Sequence, residues 1–318
     1  MGKYGPKDCT KSPRYCNIRT FMLLPYLKTL DDVDFVVAGV PYDTACTTRA
    51  GARFGPAAIR DASMLLRPHN PDMDISIFDY LSGVDYGDID IVPDDIETSY
   101  TNIYDEAFKI YQSGVKPIFL GGDHSISLPL IRAAKDVFGP VALVHFDSHS
   151  DTDDNLWGRK YMHATPFRRA AEEDCLSMDH SIQIGIRGPI YGSEGLKDAE
   201  DLGFEVLTRR KMRKMGLEAS IEKIRNRVQG ATAIYVTFDI DFLDPAYAPG
   251  TGTMEVGGFT TWEAIEIIRD GLKGLNIVGF DLVEVLPAYD SPGQITSCAA
   301  SNIVYEFITL LALNKKSK

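Results

Sequence analysis

Cysteine is scarce in this chain of 318 residues, and its five copies are scattered. No two of them form a Cys-x-x-Cys pair, so the sequence indicates neither a disulfide framework nor a zinc ribbon. Basic residues are also few, since 33 Lys and Arg face 45 Asp and Glu, for a net charge of −12. Because no basic stripe is visible, we expect no nucleic-acid partner.

Long apolar segments are missing as well. The N-terminal residues do not lead into the apolar run of a signal peptide, and no apolar stretch reaches the length of about 20 residues that spans a membrane. We therefore expect a cytoplasmic protein without a membrane partner.

Short apolar runs do alternate with segments of helical period from residue 34 onward, which predicts strands joined by helices. The predicted strands are Phe35–Gly39, Pro117–Leu120, Val141–Phe146, Ile182–Gly185, Glu205–Leu207, Ile234–Phe238 and Asn276–Phe280. The predicted helices are Ser99–Tyr111, Leu128–Asp136, Leu217–Arg227, Thr261–Gly271 and Cys298–Leu313. This pattern predicts an α/β fold whose parallel sheet is covered on both faces. We interpret 34–318 as a single domain and 1–33 as an extension over its surface or over a neighbouring subunit.

Two acidic segments, 145–151 and 238–245, each follow an apolar run. Ligands bind at the carboxyl ends of parallel strands, where both segments lie. Along an extended chain residues i, i+2 and i+4 point the same way, so each segment gathers its acidic and imidazole groups on one side. These groups are Asp147, His149 and Asp151 in the first segment, and Asp239 and Asp241 in the second. Asp and Ser are also common in helix caps and turns, the alternative explanation for either segment alone.

A third segment, 121–125, places His124 after another predicted strand. Together the three segments supply four carboxylates and two imidazoles, an oxygen and nitrogen set that suits Mn²⁺, with Ni²⁺, Co²⁺ or Zn²⁺ possible. The four negative charges match two divalent ions, and such a pair lowers the pKa of a shared water, which is hydrolytic chemistry.

At this point the chain resembles the ureohydrolases, the family of arginases and agmatinases with two manganese ions. The matching segments, in the family's order, are PYDTACTTRAGARFGP (41–56), GGDHS (121–125), HFDSHSD (145–151), FDIDFLDPAYAPGTGT (238–253), GGFTTWEA (257–264) and VEVLP (283–287). The resemblance implies a three-layer α/β/α domain with a mainly parallel sheet of about eight strands. It also implies a homotrimer or homohexamer.

The resemblance assigns roles to single residues. It implies that His124, Asp147, His149, Asp151, Asp239 and Asp241 hold the two metal ions, with Asp151 also counted among the catalytic residues. It implies that His163 carries protons to the leaving amine and that Glu263 pairs with the substrate guanidinium, which fits a planar and permanently charged group. We expect a supporting or turn role for Asp244, and we expect His145 to face away from the cluster.

The resemblance points to the branch of agmatinases and guanidino-acid hydrolases, and to agmatine as the first substrate. Asp153 and Asp154 favour its terminal amine, whereas Arg159 and Lys160 favour an acid such as 4-guanidinobutyrate or 3-guanidinopropionate. The chain departs from the family pattern at four positions, Ala45, Ser148, Ala164 and Met254. These departures leave the identity of the substrate undetermined. A free-guanidine or formimino-compound hydrolase remains an alternative, as does a catalytically silent metal-binding protein of the same fold.

Overall fold

A computed structural model of the chain describes residues 2–192 and 195–317. Residues 1, 193, 194 and 318, which belong to the predicted extension and domain, lie outside the described residues. The strands are β1 (Phe35–Val40), β2 (His69–Asn70), β3 (Ile75–Ser76), β4 (Gly83–Asp88), β5 (Lys116–Gly121), β6 (Ala142–Phe146), β7 (Ile182–Ile184), β8 (Glu205–Leu207), β9 (Ile234–Asp239) and β10 (Ile277–Val283). The short β2 and β3 form a separate antiparallel pair.

The other eight strands form one sheet in the order β4-β1-β5-β10-β9-β6-β7-β8. Every neighbouring pair in it is parallel. The central strands are buried along their whole length, which explains their continuous apolar sequences. The predicted α/β fold with a parallel sheet of about eight strands is confirmed.

Helices connect the strands and cover both faces of the sheet. They are α1 (Gly55–Ser63), α2 (Ile77–Tyr80), α3 (Ile96–Gln112), α4 (Ser127–Phe138), α5 (Pro166–Glu172), α6 (Gly195–Asp201), α7 (Arg209–Met215), α8 (Leu217–Val228), α9 (Thr261–Leu272) and α10 (Ile295–Lys316). Two apolar clusters, one on each face, form the core between the layers. All five predicted helices are present, each longer by one to a few residues at its ends.

Helix α10 is long and apolar enough to cross a membrane by length and composition alone. The expectation that no apolar stretch reaches this length is therefore wrong. However, 78% of its apolar window is buried inside the protein. Packing against the core explains its composition.

The N-terminal segment packs along the free edge of β4. Residues 21–24 are buried, and the backbone on either side bonds to the edge strand, with Leu27 N donating to Asp85 O over 3.0 Å and Asp85 N donating to Pro25 O over 3.0 Å. Tyr4 O accepts from Gly83 N over 3.0 Å. The segment thus covers unpaired backbone groups that an edge strand would otherwise expose.

Candidate metal centre

The centre lies where four adjacent strands, β5, β10, β9 and β6, end. Each strand delivers one part of it, because a parallel sheet brings the carboxyl ends of all its strands to the same edge. His124 opens a one-turn helix just after β5, Asp147 follows β6, and Asp239 is the last residue of β9. Asp241 lies in a one-turn helix that Asp239 caps, since the Asp239 carboxylate accepts from Asp241 N over 2.8 Å.

His124 is the focus of the first half of the centre. Its Nδ1 atom lies 3.1 Å from Asp147 Oδ2, 3.0 Å from Asp151 Oδ2 and 3.3 Å from Asp239 Oδ2. The His124 side chain is fully buried. One imidazole nitrogen therefore faces three carboxylate oxygens in a space closed to solvent.

His149 is the focus of the second half. Its Nδ1 atom lies 3.1 Å from Asp241 Oδ2 and 3.5 Å from Asp147 Oδ1. Asp147 thus presents one oxygen to each half and joins them. The His149 side chain is 34% exposed, so the centre opens to solvent on this side and can admit a substrate.

Buried hydrogen bonds fix which nitrogen of His124 carries its proton. Asp281 accepts from the Thr237 hydroxyl over 2.5 Å, so the Thr237 oxygen is left to accept from His124 Nε2 over 2.8 Å. The lone pair of Nδ1 then points at the carboxylates, and within the described residues Nδ1 has no hydrogen-bond partner. A metal-binding histidine needs this arrangement.

The electrostatics of the centre also favour a bound cation. Burial, and then the charges of Asp241 and Asp147, raise the pKa of the Asp239 carboxyl well above its ordinary value. Asp241 Oδ2 is buried and, like His124 Nδ1, has no hydrogen-bond partner in the described part of the chain. Unpaired lone pairs and crowded carboxylates are costly unless a positive ion balances them, so the donor set fits divalent metal ions. The structure brings all six predicted metal ligands together.

His163 lies beside the cluster and contacts a buried carboxylate that we did not predict, that of Glu284. His163 Nδ1 is 2.9 Å from Glu284 Oε1, and Nε2 is 2.9 Å from the Thr47 hydroxyl. Burial alone would lower the pKa of His163, but the hydrogen bond to Glu284 and its charge outweigh burial and raise the pKa to about 9. His163 can therefore hold a proton at neutral pH.

Glu284 follows β10 directly, at the same sheet edge as the predicted ligands. It is 2% exposed, and Oε1 also accepts from His124 N over 3.0 Å. Its φ of 63° lies in the left-handed region, as does the φ of 49° at Asp151. Non-glycine residues held in this strained conformation cluster at active sites. The VEVLP segment carried the signal for this residue, because a polar group stands there at the end of an apolar strand.

The structure does not bring Glu263 to the centre. Its side chain accepts from Thr260 N over 2.8 Å and completes the capping box of α9, and it pairs with Arg209 over 3.1 Å. Both of its carboxylate oxygens are therefore occupied by the helix start and by a neighbouring arginine. This placement contradicts the assignment of Glu263 as the partner of the guanidinium.

The structure also corrects the prediction for His145. Its Nε2 atom lies 2.7 Å from Asp147 Oδ2, so the ring faces the cluster instead of turning away. The physical reason is that residues two apart on a strand share a side. Asp244 lies outside the centre and holds a turn, with its carboxylate accepting from Ala246 N, Gly257 N and Gly258 N.

Comparisons with known proteins show which family this chain resembles. A sequence model of the arginase family matches residues 33–309. The guanidinobutyrase of Pseudomonas aeruginosa is 42% identical over 309 residues, which cover 96% of this chain and 96% of that protein. The mitochondrial agmatinase of Gallus gallus is 42% identical over 298 residues, covering 94% of this chain and 87% of that protein. The solved structure of proclavaminate amidino hydrolase from Streptomyces clavuligerus has a TM-score of 0.91 and 38% identity, covering 95% of this chain and 100% of that one.

Proposed function

The chain belongs to the arginase family, and from this premise we propose that it hydrolyses agmatine to putrescine and urea with two Mn²⁺ ions at the centre. It is a ureohydrolase of the agmatinase-like branch that acts on guanidino compounds. Relatives named for different guanidino substrates are equally similar to it, so the choice of agmatine rests on the residues around the centre. We also propose a cytoplasmic homotrimer or homohexamer.

The choice of agmatine as the substrate rests on one carboxylate, that of Asp153. Asp154 is occupied, because it pairs with Arg169 over 2.7 Å. Asp153 makes no hydrogen bond or ion pair through its side chain within the described residues. Partial burial, and then the charge of Asp151, raise its pKa. Such a carboxylate close to the centre favours a substrate that ends in an amine over one that ends in an acid.

The chain's own residues can bind and orient a guanidinium. Oε1 of Glu284 is held by His124 N and His163, whereas Oε2 makes no hydrogen bond within the described part of the chain. A buried carboxylate with one free oxygen attracts a planar cation strongly and fixes its orientation. We assign Glu284 this role.

The metal ligands and His163 complete the mechanism. His124, Asp147, Asp151 and Asp239 would hold one ion, and Asp147, His149 and Asp241 the other. When bound, two such ions make a water acidic enough to supply a nucleophile at neutral pH. His163 is placed to give a proton to the leaving amine, with Thr47 holding the ring at Nε2. A protonated amine leaves more readily, which is the usual contribution of a general acid.

The test is urea release by protein loaded with Mn²⁺ or Ni²⁺ on agmatine, 4-guanidinobutyrate, 3-guanidinopropionate, arginine and guanidine. We expect agmatine with Mn²⁺ to give the highest kcat/KM. We also expect Asp153→Asn to raise the KM for agmatine about two- to fivefold without changing kcat, the range for one exposed charge pair. Arg159→Gln serves as the matched control and should change neither.

Other outcomes identify the alternatives. A guanidino acid as the best substrate would contradict agmatine but leave the ureohydrolase intact. Urea and ammonia without another amine would indicate free guanidine, and formamide would indicate a formimino compound. Two bound ions without hydrolysis of any of these compounds would indicate an amidino substrate outside the panel, whereas no hydrolysis and no bound ion would favour a catalytically silent binding protein.

A further inference from the structure

Behind the centre lies a buried histidine that none of the proposed steps uses. His145 is fully buried on β6, with its ring packed 4.2 Å from the ring of Phe167, centroid to centroid. One ring nitrogen, Nε2, is 2.7 Å from Asp147 Oδ2. Asp147 is the carboxylate that joins the two halves of the centre, so His145 contacts the ligand on which both halves depend.

Gln183, the sheet neighbour of His145 on β7, holds the other side of the ring. Its amide nitrogen is 2.7 Å from the carbonyl oxygen of Ser150 and 3.2 Å from His145 Nδ1. A carbonyl oxygen only accepts hydrogen bonds, so the Gln183 nitrogen must face it. The second hydrogen of that nitrogen then points at His145 Nδ1, which must accept.

These hydrogen bonds determine which ring nitrogen of His145 carries the proton. With Nδ1 accepting, the neutral ring carries its hydrogen on Nε2 and donates it to Asp147 Oδ2. A nitrogen that carries a hydrogen has no lone pair for a metal ion, so His145 acts on the centre through Asp147. The same Gln183 side chain also holds the backbone of Ser150, next to Asp151, whose φ is 49°.

We propose that Gln183 and His145 are positioning residues that orient the Asp147 carboxylate and the Ser150–Asp151 backbone for metal binding. The inference rests on the metal centre of the proposed function. Asp147 Oδ1 already accepts from His149 N over 2.6 Å. The bond from His145 fixes the other oxygen, so that the carboxylate cannot rotate away from either half. Hydrogen-bond partners of metal ligands typically change metal affinity 10- to 100-fold.

The experiment measures Mn²⁺ binding to the metal-free full chain by titration calorimetry and by the electron paramagnetic resonance signal of free Mn²⁺. His145→Leu removes the donor, whereas His145→Gln keeps a donor at about the position of Nε2. Phe167→Leu is the control for ring packing, because it alters the packing on the rings of both His145 and His124 without touching the hydrogen bonds. Gln183→Leu removes the support of Nδ1 and of the Ser150 carbonyl.

We expect the unaltered protein to bind two Mn²⁺ ions and His145→Leu to lose about 10- to 100-fold in affinity for at least one of them. Gln183→Leu should weaken binding in the same direction, His145→Gln should stay within about threefold of the unaltered protein, and Phe167→Leu should match it. Thermal unfolding without metal shows which variants fold. If His145→Leu does not fold, Gln183→Leu and His145→Gln decide the question.

Three results would overturn the proposal. The first is unaltered affinity in the folded Leu variants of both residues. The second is binding by His145→Gln as weak as that by His145→Leu, which would make His145 a ligand or a packing residue. The third is an unaltered protein that binds no Mn²⁺, which would overturn the metal centre as well. Two bound ions without urea release from agmatine would instead contradict the substrate alone and leave this inference standing.

Discussion

His163 lies between a group that stabilises its charge and a group that can exchange a proton with it. Glu284 accepts from Nδ1 and raises the pKa of the ring to about 9, while at Nε2 the Thr47 hydroxyl, 2.9 Å away, can accept a proton and Thr47 N, 3.1 Å away, competes as a donor. A raised pKa keeps the ring protonated below about pH 9 and deprotonates it above. If protonated His163 is the general acid, kcat should stay level to about pH 8 and fall through pH 9.

His163→Asn should lower kcat by about 10²- to 10⁴-fold, the usual contribution of general acid–base catalysis, and should abolish the fall near pH 9. The measurements are kcat as a function of pH and metal content by mass spectrometry, which should remain at two ions. His180, which bonds the Arg227 carbonyl elsewhere, offers a matched control in His180→Asn. An unchanged pH profile in His163→Asn would remove His163 from the proton transfer.

Substitutions of Glu284 and of Glu263 test which of these two residues binds the substrate guanidinium. Glu284→Gln removes the buried charge that we assign to the substrate guanidinium, so kcat/KM should fall about 10²- to 10³-fold, the cost of truncating one member of a buried charge pair. Glu263→Gln keeps a side chain that can complete the capping box, so kcat/KM should not change. Steady-state kinetics and urea unfolding of both variants check this. A large loss of activity in Glu263→Gln alone would restore the original assignment.

The sequence predicts the metal ligands because their arrangement is local. Their spacing of two residues let Asp147, His149 and Asp151 be grouped without knowing the fold, although all three follow β6 instead of lying within it. Glu284 could not be grouped in this way, because its contact with His124 depends on β10 lying between β5 and β9. His145 could have been, since it is also two residues from Asp147.

Tertiary contacts from a helix and from the N-terminal segment hold the edge strand β4. Arg60 of α1 reaches it with Nε 2.8 Å and Nη2 3.0 Å from the two oxygens of Asp85, and Nη1 lies 2.6 Å from Asp88. Asp85 also accepts from Phe21 N over 2.8 Å. One buried ion pair therefore joins the edge strand, a helix and the N-terminal segment.

Arg60→Met should lower the free energy of unfolding by about 3–5 kcal/mol, because it leaves the Asp85 carboxylate buried without its cation. Urea unfolding measures this loss. Lys109→Met, which removes the partner of Glu106 from an ion pair whose lysine is 61% exposed, is the control and should cost less than about 1 kcal/mol. Equal losses in the two variants would mean that the Asp85 pair does not hold the edge.

The difference between local composition and tertiary contacts explains which elements could be predicted from the sequence. Seven strands of the main sheet are apolar runs that local composition reveals, and all seven are present. β4 was missed because its sequence, GVDYGD, mixes polar residues with glycine, and its place in the sheet depends on pairing with β1 and on contacts with Arg60 and the N-terminal segment. The short helices α1, α2, α5, α6 and α7 were missed because four to nine residues carry too little periodicity.

On the scale of the whole molecule, the parallel sheet concentrates negative charge at one edge of a chain whose net charge is already −12. The crowding of carboxylates that raises the pKa of Asp239 also lowers the stability of the metal-free folded chain. Metal ions that bind the folded chain but not the unfolded chain must therefore stabilise it. The gain is about 2.7 kcal/mol for one site at a free metal concentration 100 times the dissociation constant.

We therefore expect the temperature of unfolding to rise by several degrees when Mn²⁺ is added to metal-free protein, and to fall again with a chelator. Scanning calorimetry over a range of Mn²⁺ concentrations measures the rise. Asp239→Asn removes a ligand and relieves the crowding together, so its metal-free form should unfold at a higher temperature than the unaltered metal-free protein, while Mn²⁺ should add less. A variant that lost metal-free stability and kept the full Mn²⁺ increment would show that Asp239 supports the fold and does not hold the ion.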